Sequence, residues 1–286
     1  MIVILGCGYT GRRVARIMAA AGHRVLATQH RADLAIPGVE SIHFDASDPA
    51  LVSRLAQSIP SNARLLHSIP LVSAAPLDSG APSAPVPPTL RPTPMLAPVL
   101  ERAERVVYLS TTGVYGAQHI VDETTAPAPR IARERMRVEE ELQIAAACPS
   151  TLILRPAAIY GPGRGVHVSL RQGRHKLWGD GSNVISRIHV DDLAAIAAAA
   201  LASDLTGAFP VADDDPCAAI EITRFCADLL GIHPPKPMGT LPPEDTRSAN
   251  RHVDGQAIRR LLGVELRYPG YRQGVPAAIA AESNPL

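Results

Sequence analysis

The sequence predicts an α/β protein, a doubly wound parallel sheet followed by a smaller C-terminal lobe. Short β-branched or leucine-rich runs alternate with helical patterns through the first half of the chain. Strands of such a sheet would be buried on both faces, which suits apolar runs better than strict alternation. After Gly161 the alternation loosens, which marks the second lobe. Residues 1–160 are therefore expected to form the first domain and 161–286 the second, with 185–212 returning to the first. The 286 residues are enough for one large or two modest domains. With 46% hydrophobic and 19% charged residues, the chain falls among globular proteins.

Taken in order, "MIVIL", "HRVLAT", "VESIHF", "ARLLHSI", "ERVVYLS" and "STLILRP" read as six strands, each bounded by glycine, proline or polar residues. Helices are expected at Thr10–Ala21, Pro49–Ser58, Met95–Arg102 and Ala132–Ala147. Strand and helix in this rhythm place helices on both faces of a parallel sheet. Nine of the 27 prolines fall between Pro70 and Pro98, after the fourth strand. Proline lacks a backbone donor, so this segment is expected to be an exposed, partly extended loop, either a variable linker or a substrate lid.

In the second lobe, "RHKLWGDGSNVISRIHVDD" reads as short strands around a Gly-Asp-Gly turn, leading into a helix over Asp191–Ser203. Asp191 would help cap that helix and favour its positive end. Further helices are expected near Glu221–Leu230, Asp254–Leu262 and Arg272–Glu282.

A formal net charge of +1 without a block of like charge argues against nucleic-acid and membrane partners. Cys7, Cys148, Cys217 and Cys226 show no CxxC pair and no metal-ligand spacing, and read as reduced, mostly buried thiols. The opening "MIVILG" is too short, and uncharged in front, for a signal peptide. The Asp191–Ser203 run is too short to span a bilayer. A cytoplasmic location is expected.

The first strand runs into "GCGYTG", a GxGxxG turn, and then into the helix-compatible "TGRRVARIMAA". Gly6 permits the tight turn, Gly8 lets backbone approach a pyrophosphate, and Gly11 lets the helix pack close to the strand. The helix start offers N–H groups and positive partial charge to a diphosphate. The end of the second strand reads "ATQHRAD", with Gln29, His30 and Arg31 where an acid would favour NAD. Arg31, with Arg12, could pair with a ribose 2′-phosphate, so NADP is the expected cofactor and NAD the other candidate. As exposed surface residues, the two arginines would have no such role. Asp45, ending the third strand, is an adenine-side contact or a cap.

Three further phrases follow in order: "RVVYLSTTGVYG" (Arg105–Gly116), "LRPAAIYGPGR" (Leu154–Arg164) and "RIHVDDLA" (Arg187–Ala194). With the glycine turn and the tail "ANRHVDGQAIRRLLGVELRYPGYRQGV", they resemble the extended short-chain dehydrogenase/reductase family, the NAD-dependent epimerase/dehydratase group. The resemblance covers nearly the whole chain. It implies a seven-stranded Rossmann sheet and hydride chemistry on sugar nucleotides or other hydroxy or carbonyl compounds. It also implies pairing through helices, with Ala132–Ala147 the surface for a homodimer.

The chain departs from that family in ways that make it an atypical member. Its glycine turn is one residue shorter than the usual GxxGxxG. The family's Tyr-x-x-x-Lys pair falls on Ile131 and Arg135. Isoleucine can move no proton, and general acid-base catalysis is typically worth about 10²–10⁴-fold. Arg135 could hold a cofactor ribose hydroxyl and add positive charge but is too basic to donate a proton. Ala158 stands where many relatives carry an asparagine that touches the nucleotide.

The catalytic candidates are thus Thr111, at the family's catalytic hydroxyl position, the nearby phenols Tyr115 and Tyr160, and Arg135. The cofactor-binding candidates are Gly6, Gly8, Tyr9, Thr10, Gly11, Gln29, His30, Arg31, Asp45, Ser68, Ser110, Arg135 and Pro156. For the substrate they are Thr112, Arg164 and Arg187, with Arg187 placed near an arginine of related proteins. His67 could line the nicotinamide pocket, and His189 reads as structural. His167, His175 and Lys176, with Arg164, Arg171 and Arg174, could receive a phosphorylated or acidic small molecule, or form a solvated basic face. The alternative to an enzyme is an NAD(P)-binding sensor or regulatory protein without catalysis.

Overall fold

The computed structural model describes residues 1–30, 36–70, 92–241 and 249–283. In chain order its first elements are β1 (Ile2–Leu5), α1 (Gly11–Ala20), β2 (Val25–Gln29), β3 (Val39–His43), α2 (Pro49–Ser58), β4 (Arg64–His67), α3 (Pro92–Leu100) and β5 (Arg105–Leu109). There follow β6 (Ile120–Val121), α4 (Ala132–Ala147), β7 (Thr151–Pro156), β8 (Ala158–Tyr160), α5 (Val166–Arg171), β9 (Val184–Ile185) and β10 (Arg187–His189). The last are α6 (Val190–Ala202), β11 (Gly207–Val211), β12 (Cys217–Ala218), α7 (Ala219–Leu230), β13 (His252–Val253), α8 (Gln256–Leu262) and α9 (Tyr271–Ser283).

Seven strands form one parallel Rossmann-like sheet in the order β11-β7-β5-β4-β1-β2-β3. The six strands expected from sequence are all in it. Every residue of β1 is buried, and so is every residue of β7, as two covered sheet faces demand. Ile2 pairs with Val25 on one side and with Arg64 on the other, so the strand order reverses at β1. That reversal opens a crevice at the carboxyl ends of β1 and β4, where α/β sheets take ligands. Helix α1 turns Val14, Ala15 and Met18 inward. Asp48 starts α2 by accepting from the Ala50 and Leu51 N–H groups at 2.8 and 3.3 Å, with Pro49 at a position that needs no donor.

Two expectations are corrected. The proline-rich segment is helical from Pro92: Pro92 and Pro94 stand in the first turn, where they forfeit only N–H groups that would be unpaired anyway, while Pro98 lies inside the helix. Residues 71–91, where a linker or lid was expected, lie outside the described residues. Helix α6 starts at Val190, which puts Asp191 inside its first turn. The start is instead tied by His189, whose Nδ1 accepts from the Asp191 N–H at 3.2 Å.

The chain divides into two compact units. The first comprises Met1–Ser110, Arg137–Ile153 and Ala197–Gly207, and the second Thr111–Met136, Leu154–Ile196 and Ala208–Leu286. Within the second, three small sheets pair β8 with β10, β9 with β12 and β6 with β13. Its core gathers Tyr160, Leu170, Cys217, Ile222, Cys226, Ala227, Tyr271 and Val275. All four cysteines are buried and free. None of the described helices is long and apolar enough to cross a membrane.

Candidate functional site

In the first unit the glycine turn is held from both sides. The Gly6 N–H donates to Thr28 Oγ1 at 3.0 Å and the Cys7 N–H to the Thr28 carbonyl at 2.7 Å. The Ser68 hydroxyl donates to the Gly6 carbonyl at 2.6 Å. Gly6 has φ +82°, and a Cβ there would lie 2.9 Å from the backbone nitrogen of Ile69. A Cβ at Gly11 would meet the Gly6 oxygen at 3.0 Å and Ile4 Cγ2 at 3.1 Å, so the helix and strand are as close as a side chain would allow. Gly8 differs. Its nearest neighbour among the described residues would be 4.0 Å away, so its missing side chain leaves space there. Thr10 precedes α1 without a side-chain cap. Tyr9 lies under Arg13, whose guanidinium carbon is 4.5 Å from the ring centroid and whose Nη1 donates to the Tyr9 carbonyl.

Beside this turn, at the ends of β2 and β3, Gln29 and His30 are followed by Arg31, which lies outside the described residues. His30 Nδ1 is 3.7 Å from Asp45 Oδ2, and its ring stacks on His43 with centroids 5.9 Å apart. Asp45 Oδ1 accepts from the hydroxyl and N–H of Ser47, which holds its carboxyl below the usual range.

The middle strands carry a buried polar group against α4. His67, fully buried, accepts from the Ile69 N–H through Nδ1, and its Nε2 has no partner among the described residues. Burial, and then the charge of Arg137, push its pKa down to about 3, so the ring is neutral. Its strand neighbour Tyr108 donates to Glu140 and receives a bond from Arg137. Ser110 donates to Glu141 at 2.5 Å. Sequence reasoning missed Arg137, Glu140 and Glu141. The available signal was periodicity: they stand seven, four and three residues before buried Ile144, on the face where a helix expects apolar side chains.

In the second unit Thr111 caps a short 3₁₀ turn, Thr112–Tyr115, by accepting from the Gly113 N–H at 3.1 Å. Its own O–H has no acceptor among the described residues. Thr112 is buried beside it. Tyr115 is fully buried, with Arg155 Nη1 donating to its hydroxyl and the Arg155 guanidinium 5.1 Å from its ring centroid. The Tyr160 hydroxyl donates to the Gly270 carbonyl at 3.2 Å, and burial drives its pKa up. A Cβ at Gly274 would lie 2.8 Å from Cε2 and Cζ of that ring. Both phenols are thus engaged in packing and hydrogen bonds. Ile131 precedes α4, whose Glu134 reaches back to the Arg130 and Ile131 N–H groups. Arg135 is exposed and donates to the Arg130 carbonyl at 2.6 Å. Pro156 is buried at the end of β7.

Several basic side chains of the second unit are tied to local partners. His167 and Arg171 both reach Glu282, and His175 bonds Ser169 and Thr223. Arg164 is exposed. Arg187 is buried and lines a cavity. Arg155 and Arg251 were also missed from sequence. Arg251 donates to the Gly116 and Gln118 carbonyls, pinning the chain after Tyr115.

Residues 2–209 match the NAD dependent epimerase/dehydratase family. The chain is 30% identical over 165 residues to a 3-diazoavenalumate denitrifying reductase from a Streptomyces species, covering 52% of this chain and 54% of that protein. It is 29% identical over 211 residues to a 2-alkyl-3-oxoalkanoate reductase from Stenotrophomonas maltophilia, covering 68% and 62%. The matches thus span only about half to three fifths of these relatives' lengths. A solved structure of a functionally unknown conserved protein from Silicibacter pomeroyi superposes with a TM-score of 0.74 at 33% identity, covering 98% of both chains.

Proposed function

The chain belongs to the NAD dependent epimerase/dehydratase family, and on that footing we propose that it is an NADP-dependent oxidoreductase or epimerase-like enzyme of an atypical kind. It acts on a hydroxy or carbonyl compound, sugar-nucleotide-like or of another small-molecule class. Residues 1–160 serve the cofactor and 161–286 the substrate. The observation that carries this reading is the glycine turn. Its fixed Gly6, close-packed Gly11 and open space at Gly8 suit a diphosphate lying against the start of α1. Tyr9, Thr10 and Ser68 frame that place, and Gln29, His30 and Asp45 the adenosine side. Arg31 supplies the preference for a 2′-phosphate. The reductase names of the two relatives support hydride transfer.

When bound, the cofactor supplies or accepts a hydride. The chain's own part is to position and polarise. Thr111 has a hydroxyl hydrogen free to donate to a substrate oxygen, because its recorded bond uses the oxygen only as acceptor. Arg135 holds a ribose hydroxyl. Thr111 is preferred to Tyr160, whose hydroxyl already donates to Gly270, and to Tyr115, whose ring is fully buried against Arg155. With Ile131 in the tyrosine's place, the proton comes from solvent or from the substrate itself.

A second reading, a cofactor-binding sensor without turnover, is favoured by that isoleucine and by the engagement of both phenols. Titration with NADPH and NADH, read as thermal stabilisation, tests both readings. A hundredfold excess over Kd adds about 2.7 kcal/mol. Binding followed by NADPH oxidation with a carbonyl panel supports the enzyme, binding without oxidation the sensor, and no response to either cofactor overturns both.

A further inference from the structure

The second unit holds a half-open cavity of about 230 Å³. Its wall is mostly aliphatic, from Ile159, Val166, Ile185, Ile222 and Val275, and two buried polar side chains reach it. One is Arg187, with 4% of its surface exposed. Its Nη1 donates to the Ile185 carbonyl at 2.7 Å and contacts Cys217 Sγ at 3.1 Å. Neither partner neutralises it: the first is a carbonyl, and burial pushes the Cys217 thiol up, which keeps it protonated. No carboxylate among the described residues forms an ion pair with it. Asp213, whose N–H donates to the Arg187 carbonyl, feels the charge of the guanidinium, but burial outweighs that attraction and raises the Asp213 pKa, and the two side chains are not in ion-pair contact. Arginine cannot shed its proton, so the charge stays in place, and a buried charge demands a counter-charge.

The other polar group is His167, fully buried. Its Nε2 lies 2.9 Å from Glu282 Oε1, which places the ring proton on that nitrogen. Nδ1 has no partner among the described residues. Gly165 keeps the space beside it clear, since a Cβ there would lie 3.2 Å from Nδ1. The cavity therefore offers one cation, one unpartnered ring nitrogen and an apolar wall. Its volume exceeds the roughly 150 Å³ that accommodates benzene but falls short of the roughly 300 Å³ at which drug-sized pockets begin.

We propose that this cavity binds a small carboxylate with an apolar body and a hydroxyl group, its carboxylate on Arg187 and its hydroxyl on His167. This rests on the oxidoreductase reading above and narrows its substrate class from sugar nucleotides to small apolar-bodied acids.

The test uses the full chain with hexanoate, 6-hydroxyhexanoate and hexanamide as calorimetric probes, and with NADPH titrated separately by its fluorescence. Hexanoate is expected to bind at least about tenfold more tightly than its neutral isostere hexanamide, and 6-hydroxyhexanoate more tightly still. Arg187→Met removes the carboxylate preference, and Arg187→Lys restores part of it. Val275→Phe fills the cavity without touching the guanidinium and abolishes binding of all three while thermal melting reports an intact fold. Equal affinity for acid and amide, no binding of either to the wild-type chain, or an unchanged preference in folded Arg187→Met overturns the site. Carboxylate binding without NADPH binding supports the site and overturns the oxidoreductase reading instead.

Discussion

Arg155 holds the hydroxyl of Tyr115 at 3.1 Å from within the same buried region, and its guanidinium also rests against the ring. The phenol nearest the expected catalytic position is therefore a structural partner of a buried cation. Tyr115→Phe removes the acceptor and is expected to cost about 1–3 kcal/mol of stability, because hydrogen bonds to charged groups are the stronger ones. NADPH affinity stays unchanged. Urea unfolding with a parallel cofactor titration checks this. A fully stable variant that had lost turnover would instead make the hydroxyl a catalytic group.

The glycines of the first turn separate fold from binding. Gly6→Ala forces a side chain onto positive φ and against Ile69, and is expected to destabilise by more than about 1 kcal/mol. Gly8→Ala meets nothing among the described residues closer than 4.0 Å, so its stability stays within about 0.5 kcal/mol of the parent. Its NADPH affinity is expected to fall by about tenfold or more. If Gly8→Ala bound the cofactor as well as the parent does, the diphosphate would not lie there.

Glu140 joins Tyr108 and Arg137 in a buried arrangement. Glu140→Ala strips two partners at once and leaves the guanidinium without its carboxylate. A loss of about 2–4 kcal/mol is expected, measured by denaturant midpoint at constant slope. Glu140→Gln keeps an acceptor and costs less.

Asp213 gives the stability a pH dependence of unusual sign for a carboxylate. Burial raises its pKa to about 7 in the folded chain from an ordinary 3.8, and its Oδ2 has no partner among the described residues. Between those values the folded state binds more protons than the unfolded one, so this group's contribution falls as pH rises and levels off above about 7. His67 acts oppositely, since its folded pKa lies far below 6.5 and its contribution is lost on acidification below that value. Asp213→Asn is therefore expected to gain stability relative to the parent from pH 5 to pH 8, by chemical denaturation at each pH. A constant difference across that range would remove Asp213 as the cause.

The strands and the glycine turn were readable because their chemistry is local. Apolar runs bounded by turn residues have one good solution, and the spacing of Gly6, Gly8 and Gly11 speaks for itself once a strand precedes it. The start of α6 was misplaced by one residue and its cap by two, since the His189 ring stands where the acid Asp191 was expected. What stayed hidden were partnerships across the chain. Arg155 meets Tyr115 40 residues away, and Glu140 meets Tyr108 32 residues away. Nothing in either stretch names its partner. The same distance kept Arg187 from being seen as a buried cation on a cavity wall, although its position in "RIHVDD" drew notice.

Helix α9 runs past Tyr160 only because residue 274 has no side chain, and Tyr160 is also part of the cavity wall beside Arg187. The last helix of the chain thus acts as a backstop for the cavity. Any side chain at position 274 must push the phenol inward or lift the helix, so the capacity of the cavity is set from behind its own wall. A bulkier residue 274 is admissible only with a smaller residue 160, and that exchange would reshape the cavity by changing a wall residue while leaving Arg187 and His167 in place.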